Sequence, residues 1–311
     1  MLSDLTKSAI EETHRIIRSH IRRTPTLTLE PSDLEVEAHK LTLKLEYLQH
    51  TGSFKPRGAF ANLLTHDIGS AGVAAASGGN HGAAVAYAAH QLGIPAHIFI
   101  PSVSPQAKVD RIRSQRAELS IVGERYDDAL VACMEFVGES GAVNVHAFDQ
   151  RETILGQGSI GLELDDQVPD LDTLLVSVGG GGLIAGIASW FAGAIKVIGV
   201  EPRLSPTLTA ALEAGSPVDA PTDGIAADSL APKRVGELIF PIAKAHVAEV
   251  ILVEDDEISD AQRTLWRVAR VAAEPGGAAA AAALLSGRYK PDPDEHVGLL
   301  VSGANTDAVA L

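Results

Sequence analysis

Four consecutive glycines, Gly179 to Gly182, stand between an apolar run, Leu174-Leu175-Val176-Ser177-Val178, and a segment of helical pattern opening at Leu183. A short apolar run of this kind reads as a strand buried on both faces. Such strands belong to parallel sheets covered by helices. The same order recurs where Val73–Ala76 leads into Ser77-Gly78-Gly79-Asn80-His81-Gly82 and then a helical segment to Leu92. Further strand patterns fall at Leu41–Glu46, His97–Ile100, Leu119–Val122, Lys196–Val200, Glu249–Val253 and Val297–Val301. Helical patterns cover Ala59–Leu64, 104–116 and 126–139, and a first helix runs to about Ile21 from a cap at Ser3 or Asp4. The rhythm predicts an α/β fold with two open parallel-type sheets flanked by helices. A chain of 311 residues without an evident linker or repeat predicts two domains whose boundary lies inside that pattern.

Composition narrows the partners. Aromatic residues are only 4% of a chain that is 46% hydrophobic, so its elements must pack through small side chains. The net charge of −15, with no long basic run beyond Arg15 to Arg23, argues against nucleic acid and anionic membrane surfaces. No stretch has the 18 apolar residues of a membrane span, and the first residues lack the basic and apolar regions of a signal peptide, so a cytoplasmic protein is expected. Cys133, alone of its kind and set in an apolar helical run, reads as a packing thiol.

The glycine run carries chemistry. Glycines let backbone N–H groups approach a phosphate closely, and the dipole of the following helix favours the anion. Gly180-x-Gly182-x-x-Ala185, with Glu201 placed 21 residues on, also satisfies the relaxed dinucleotide fingerprint, which by itself would suit a nicotinamide dehydrogenase. The second loop offers hydroxyl, amide and backbone donors at Ser77, Gly79 and Asn80, again at a helix N-terminus, and suits a carboxylate. Two separate anion sites fit a carboxylate substrate together with a phosphorylated cofactor. Lys55, in Thr51-Gly52-Ser53-Phe54-Lys55-Pro56-Arg57-Gly58-Ala59, is flanked by Phe54 and Pro56. A lysine desolvated in such a place has a lowered pKa and becomes a usable amine nucleophile.

Ser53-Phe54-Lys55-Pro56-Arg57-Gly58-Ala59 resembles the cofactor-lysine motif of the serine/threonine dehydratases, fold-type II pyridoxal phosphate (PLP) enzymes of the tryptophan synthase β-subunit superfamily. Further matches follow in that family's order: Ser77 to Gly82, Gly179 to Gly182, Glu274-Pro275, and Ser302-Gly303-Ala304-Asn305. The resemblance covers nearly the whole chain. It implies that Lys55 carries PLP as a Schiff base and acts as the base at Cα. Phe54 would pack beside the ring, Asn80 would bond its 3′-oxygen, and Gly179, Gly180, Gly181 and Gly182 would bind the phosphate. Ser302 would face the pyridine nitrogen and Glu274 would lie near the ring, unless Glu274 is a plain helix N-terminal charge. Ser77, Gly79 and His81 would help hold the substrate carboxylate.

The resemblance further implies a large domain of residues 1–60 and 149–311, a small domain of 61–148, a cleft between them, and a homodimer. The expected reaction is α,β-elimination from L-threonine or L-serine to a 2-oxo acid and ammonia. Dehydration of another β-hydroxy amino acid such as 3-hydroxyaspartate is the first alternative, and racemisation the next. Racemases of the family carry a serine at the position of Gly78, which here has no side chain. Ala304 stands where the family usually has glycine. Some relatives bind a cation after Glu-Pro. Here Glu201-Pro202 is followed by Ser205 and Thr207 with no second acid, so no tightly bound divalent metal is expected. With so little chain after Ser302, no effector-binding domain is expected. Asp223 to Asp228 is either a substrate-side loop or an ordinary turn.

Overall fold

The computed structural model describes residues 4–102, 104, 106–124 and 126–306. Strands β1 (Thr26–Leu29), β2 (Lys40–Leu45), β7 (Thr173–Ser177), β8 (Lys196–Pro202), β9 (Glu249–Val253) and β10 (His296–Val301) form one sheet in the order β1-β2-β10-β7-β8-β9. Strands β3 (Val73–Ala76), β4 (Ala96–Ile100), β5 (Glu118–Ile121) and β6 (Val143–Asn144) form a second, in the order β5-β4-β3-β6. All ladders are parallel except that of β1 with β2. The helices are α1 (Lys7–Ile17), α2 (Pro56–Thr65), α3 (Asn80–Leu92), α4 (Gln106–Ser114), α5 (Tyr126–Ser140), α6 (Arg151–Gln167), α7 (Gly182–Phe191), α8 (Thr207–Ala214), α9 (Ala227–Leu230), α10 (Ile239–His246), α11 (Asp255–Ala269) and α12 (Pro275–Leu285).

The two parallel-type sheets stand as expected, with one antiparallel strand added at an edge of the first. Thr26-Leu27-Thr28-Leu29 alternates polar and apolar residues, as a half-covered edge requires, and pairs with β2 from Thr26↔Lys44 to Leu29↔Leu41. The first helix also differs from expectation. Its cap is Thr6, whose Oγ1 accepts the Ala9 N–H at 3.2 Å, and it ends at Ile17. Asp4 lies outside it, and Ser3 lies outside the described residues. Ile21 remains buried beyond the helix end, so its apolar character belonged to the core rather than to the helix.

Small side chains carry the packing, as the composition requires. Helix α12 reads PGGAAAAAALL, and every residue from Gly276 to Leu284 is buried against the first sheet and α11. Cys133 is buried and unbridged, and burial pushes its thiol up to about 11, which makes it an unreactive packing group. No helix among the described residues is long and apolar enough to cross a membrane.

Candidate active site

In parallel sheets, ligands gather beyond the carboxyl ends of the strands. The glycine run follows β7, Ser77 to His81 follows β3, and Ser302 follows β10. The Lys55 loop joins them laterally: Ser53 forms a bridge with Gly303, and the Phe54 N–H donates to the Ser302 carbonyl at 3.1 Å.

Lys55 is half-buried, and its Nζ donates to the Ala147 carbonyl at 2.8 Å, 5.0 Å from the centre of the Phe54 ring. The protein packed around it pushes the amine down to about 8, against the opposing pull of Glu274. Two neighbours are poor bases by comparison. Burial, with the charge of Lys55, drives His81 down to about 3, and its Nε2 is committed to the Val145 carbonyl at 2.8 Å. His146 is also lowered by burial, and its Nδ1 accepts the N–H groups of Phe148 and Asp149.

The helix that starts after Lys55 is anchored by a buried ionic cluster. Arg57, fully buried, is bidentate both to Glu46 (2.8 and 2.7 Å) and to Glu163 (2.8 Å each). Lys44 adds a 2.7 Å bond to Glu163 and others to Gln167 and the Thr24 carbonyl. Two cations thus balance two anions. This is the arrangement in which buried charge is tolerated, and it holds the backbone two residues beyond Lys55.

Glu274 is not a plain helix charge. Although it is the N-cap residue of α12, its side chain bonds no N–H of that helix. Its Oε1 accepts from Asn80 Nδ2 at 2.7 Å, and its Oε2 accepts the Asn305 N–H at 3.2 Å. Asn305 Nδ2 in turn donates to Asn80 Oδ1 at 2.7 Å and to the Thr51 carbonyl at 2.8 Å. The amide of Asn80 is therefore oriented from both ends. Ser302 is buried, with a single long contact of 3.5 Å from Oγ to the Gly276 carbonyl, which leaves its hydroxyl weakly committed.

At the glycine run, Gly181 has φ 91° and no side chain caps α7, so the first N–H groups of that helix lack side-chain partners. A Cβ on Gly180 would lie 2.4 Å from the Phe148 ring. In the second loop, Ser77 Oγ accepts the Gly79 N–H at 3.3 Å, and α3 also starts without a side-chain cap. A Cβ on Gly78 would meet Ser104 Oγ at 2.7 Å. Asp223 to Asp228 reaches this place, for the Asp228 carbonyl is 3.7 Å from where a Gly79 Cβ would stand. That contact favours the substrate-side reading of the loop. Ala304 is not at positive φ and donates to the Gly52 carbonyl at 3.0 Å, so alanine fits there.

Sequence reasoning missed the segment from His146 to Phe148, which supplies the carbonyl facing Lys55 and the ring covering Gly180. It also missed Ser104, whose Oγ stands beside Gly78, and the linking role of Asn305. Asn305 was legible as part of a motif, whereas nothing in the local pattern marks an alanine carbonyl. A separate cavity of about 630 Å³ opens at the opposite, amino-terminal ends of β7 to β10, lined in part by Asp172, Lys196 and Glu295, and none of the site residues lines it.

Residues 17–303 match the family model for pyridoxal-phosphate dependent enzymes. The chain belongs to that family. It is 37% identical to the L-threonine ammonia-lyase of Thermotoga maritima over 309 residues, covering 97% of this chain and 76% of that protein. It is 35% identical to the serine racemase of Oryza sativa, over 97% of this chain and 91% of that one. The structure of maize serine racemase superposes with a TM-score of 0.92 at 33% identity, covering 97% of this chain and 94% of the other. The fold is thus that of the fold-type II PLP enzymes, and PLP is the cofactor of the family.

The residues present fit this cofactor. An amine lowered to about 8, an uncapped helix start behind glycines, a buried hydroxyl and a fixed amide form a donor set for an aldehyde, a phosphate and a heteroaromatic ring. Lys55, Gly179 to Gly182, Ser302 and Asn80 are the residues that could hold it. The dinucleotide alternative fails at Glu201. That side chain is fully buried, and its carboxylate accepts the N–H groups of Leu208 (2.6 Å) and Thr209 (2.9 Å) and the Thr209 hydroxyl (2.7 Å), so it caps α8 and is not free for a ribose. Burial pushes its carboxyl up to about 7.

Proposed function

We propose that this PLP enzyme is an ammonia-lyase of β-hydroxy amino acids, taking L-threonine or L-serine to 2-oxobutanoate or pyruvate and ammonia. The observation that carries the reading is Lys55 as the suitably poised base among the described residues of the cleft: its amine is at about 8, while His81 lies near 3 with its ring engaged and His146 is lowered and engaged. A base whose pKa lies near the working pH is the most effective in proton transfer.

PLP, when bound, supplies an electron sink for the charge left at the substrate Cα. Lys55 removes the Cα proton and the Cβ–O bond breaks, so that water is lost. Hydrolysis returns one water and releases ammonia, which makes the net change amino acid to 2-oxo acid plus ammonia. The N-terminus of α3, with Ser77, Gly79 and the backbone of His81, holds the α-carboxylate. Only the backbone of His81 serves, because its ring is taken by Val145. Ser302 would offer a neutral hydroxyl to the bound cofactor's ring, which would make that ring a weaker electron sink and favour loss of the β-hydroxyl. Two domains, 1–60 with 149–311 and 61–148, would close over the cleft and exclude water. The protein would act as a cytoplasmic homodimer without a divalent metal.

A second reading, racemisation, is supported by the serine racemases among the relatives and by Ser104, whose hydroxyl stands where a side chain at position 78 would point. Both readings are tested on one panel. The purified protein should be yellow and bleached by borohydride, and L-threonine and L-serine should yield 2-oxo acid faster than D-enantiomer. Faster formation of D-serine would replace the lyase by the racemase, and a colourless protein stabilised by NAD would remove both.

A further inference from the structure

We infer that Asp149 is a positioning residue for the cofactor phosphate: its carboxylate clasps the turn ahead of α10 against the glycine run, and so holds Gly180 to Gly182 in the shape that receives the anion. The inference rests on membership of the PLP family and is independent of which amino acid the enzyme turns over.

A run of glycines has no side chains of its own, so its shape must come from what packs against it. Two segments do this. From one side, a Cβ on Gly180 would lie 2.4 Å from the Phe148 ring, and one on Gly182 would lie 2.9 Å from the Phe148 carbonyl oxygen. From the other, a Cβ on Gly181 would lie 2.6 Å from Ile239 Cγ2 and 3.2 Å from Val235 Cγ2. On that side the Gly236 N–H also donates to the Gly180 carbonyl at 3.2 Å. Asp149 joins the two segments. Its Oδ2 accepts the Glu237 N–H and its Oδ1 the Leu238 N–H, each at 3.0 Å, across 88 and 89 residues of chain.

Both bonds are charge-assisted and together use both carboxylate oxygens, so the clasp sets the angle of the turn as well as its distance. Gly236 permits the close approach, for a Cβ there would lie 2.4 Å from Asp149 Oδ1. The backbone of Asp149 is braced independently. Its N–H donates to His146 Nδ1 at 2.9 Å, and the His146 N–H donates to Gln150 Oε1 at 2.8 Å. Removing the carboxylate therefore frees the turn while the segment that carries Ala147 and Phe148 keeps its own bonds. A carboxylate this close to an anion site repels the anion. Its place here is explained by the geometry it imposes: the first N–H groups of α7, which no side chain caps, stay turned toward the phosphate.

The test compares PLP with pyridoxal, which has the same aldehyde and ring without the phosphate. The full chain is freed of cofactor, and binding of each compound to the wild type, Asp149→Ala, Asp149→Asn and Gly236→Ala is followed by the absorbance of the bound cofactor. Asp149→Ala should raise the Kd for PLP by about tenfold or more while changing that for pyridoxal by less than about twofold. Asp149→Asn is isosteric but can accept from one N–H and turns its amide against the other, so it should follow Asp149→Ala closely. Gly236→Ala pushes the clasp apart and leaves the carboxylate in place, and should show the same selective loss to a smaller degree. Equal losses for PLP and pyridoxal would assign Asp149 to general stability and overturn the proposal, as would unchanged PLP affinity in the variants. Tighter binding of PLP by Asp149→Asn would overturn it too, by showing that repulsion outweighs positioning. If Asp149→Ala does not fold, Asp149→Asn and Gly236→Ala decide the matter. Turnover of an amino acid does not enter these readouts, so a failure of the lyase reading leaves the inference standing, and the converse holds as well.

Discussion

The Nζ of Lys55 donates to the carbonyl oxygen of Ala147 at 2.8 Å, across 92 residues of chain. The contact draws the amine toward the segment that also carries Phe148, the ring packed against Gly180. Base and glycine run are thus set by one stretch of backbone. Replacing Lys55 by alanine should reduce turnover by at least about a thousandfold, because the nucleophile and the base are lost together. In the unloaded wild-type protein, uptake of PLP, followed by absorbance, should accelerate through pH 8 as the amine loses its proton, and then level off. The folded amine at about 8 lies below the unfolded 10.5, so the unfolded chain holds more protons between those values, and stability of the unloaded protein should rise with pH across that window. Urea melts of Lys55→Met showing the same slope would contradict this assignment.

Gly181→Ala should weaken both fold and cofactor binding. At φ 91° an alanine is strained by about 1–2 kcal/mol, and its Cβ would also lie 2.6 Å from Ile239 Cγ2. PLP titration should give roughly a tenfold or greater loss of affinity. Unchanged affinity would separate this turn from the phosphate.

Glu163→Ala should be among the most destabilising single changes, costing roughly 3–5 kcal/mol in urea unfolding, because Arg57 and Lys44 would be left buried with one acid between them. Burial raises the Glu163 carboxyl, but Arg57 and Lys44 outweigh it and hold the group below 4.5. Its contribution is therefore present above pH 4.5 and lost as the pH falls through its lowered folded value. The acid limb of the stability profile should flatten in Glu163→Gln.

Glu201→Ala should cost about 1–2 kcal/mol through loss of the α8 cap. The folded carboxyl, at about 7, keeps a proton that the unfolded chain releases near 4.5, so wild-type stability should decline as pH rises between those values, and the variant should lack that decline. EDTA should change neither the melting temperature nor the activity. A large loss on chelation would restore a cation to this site.

Elements and motifs of the fold were legible where the pattern is local. The apolar run before Gly179 and the Val73–Ala76 run are strands, each followed by a turn and a helix, because hydrophobic periodicity and glycine act within a few residues. Thr26–Leu29 was passed over because Pro25 reads as a stop, and only pairing with β2 makes a strand of four residues worthwhile. The helix cap went to Thr6 because capping depends on which hydroxyl reaches an N–H, a difference of one backbone angle.

The sequence by itself determined the α/β order of elements, the lysine in its turn, the two glycine-bearing loops and, through the resemblance, the cofactor class. Only the tertiary structure decided what those groups meet. Asn80 and Glu274 are 194 residues apart and 2.7 Å from one another, and Glu201, spaced like a ribose-binding acid, folds back on α8. Local pattern sets which segments become strands and helices. Which carbonyl a lysine faces, or which amide an acid holds, depends on contacts between segments distant in sequence, and their spacing along the chain does not encode them.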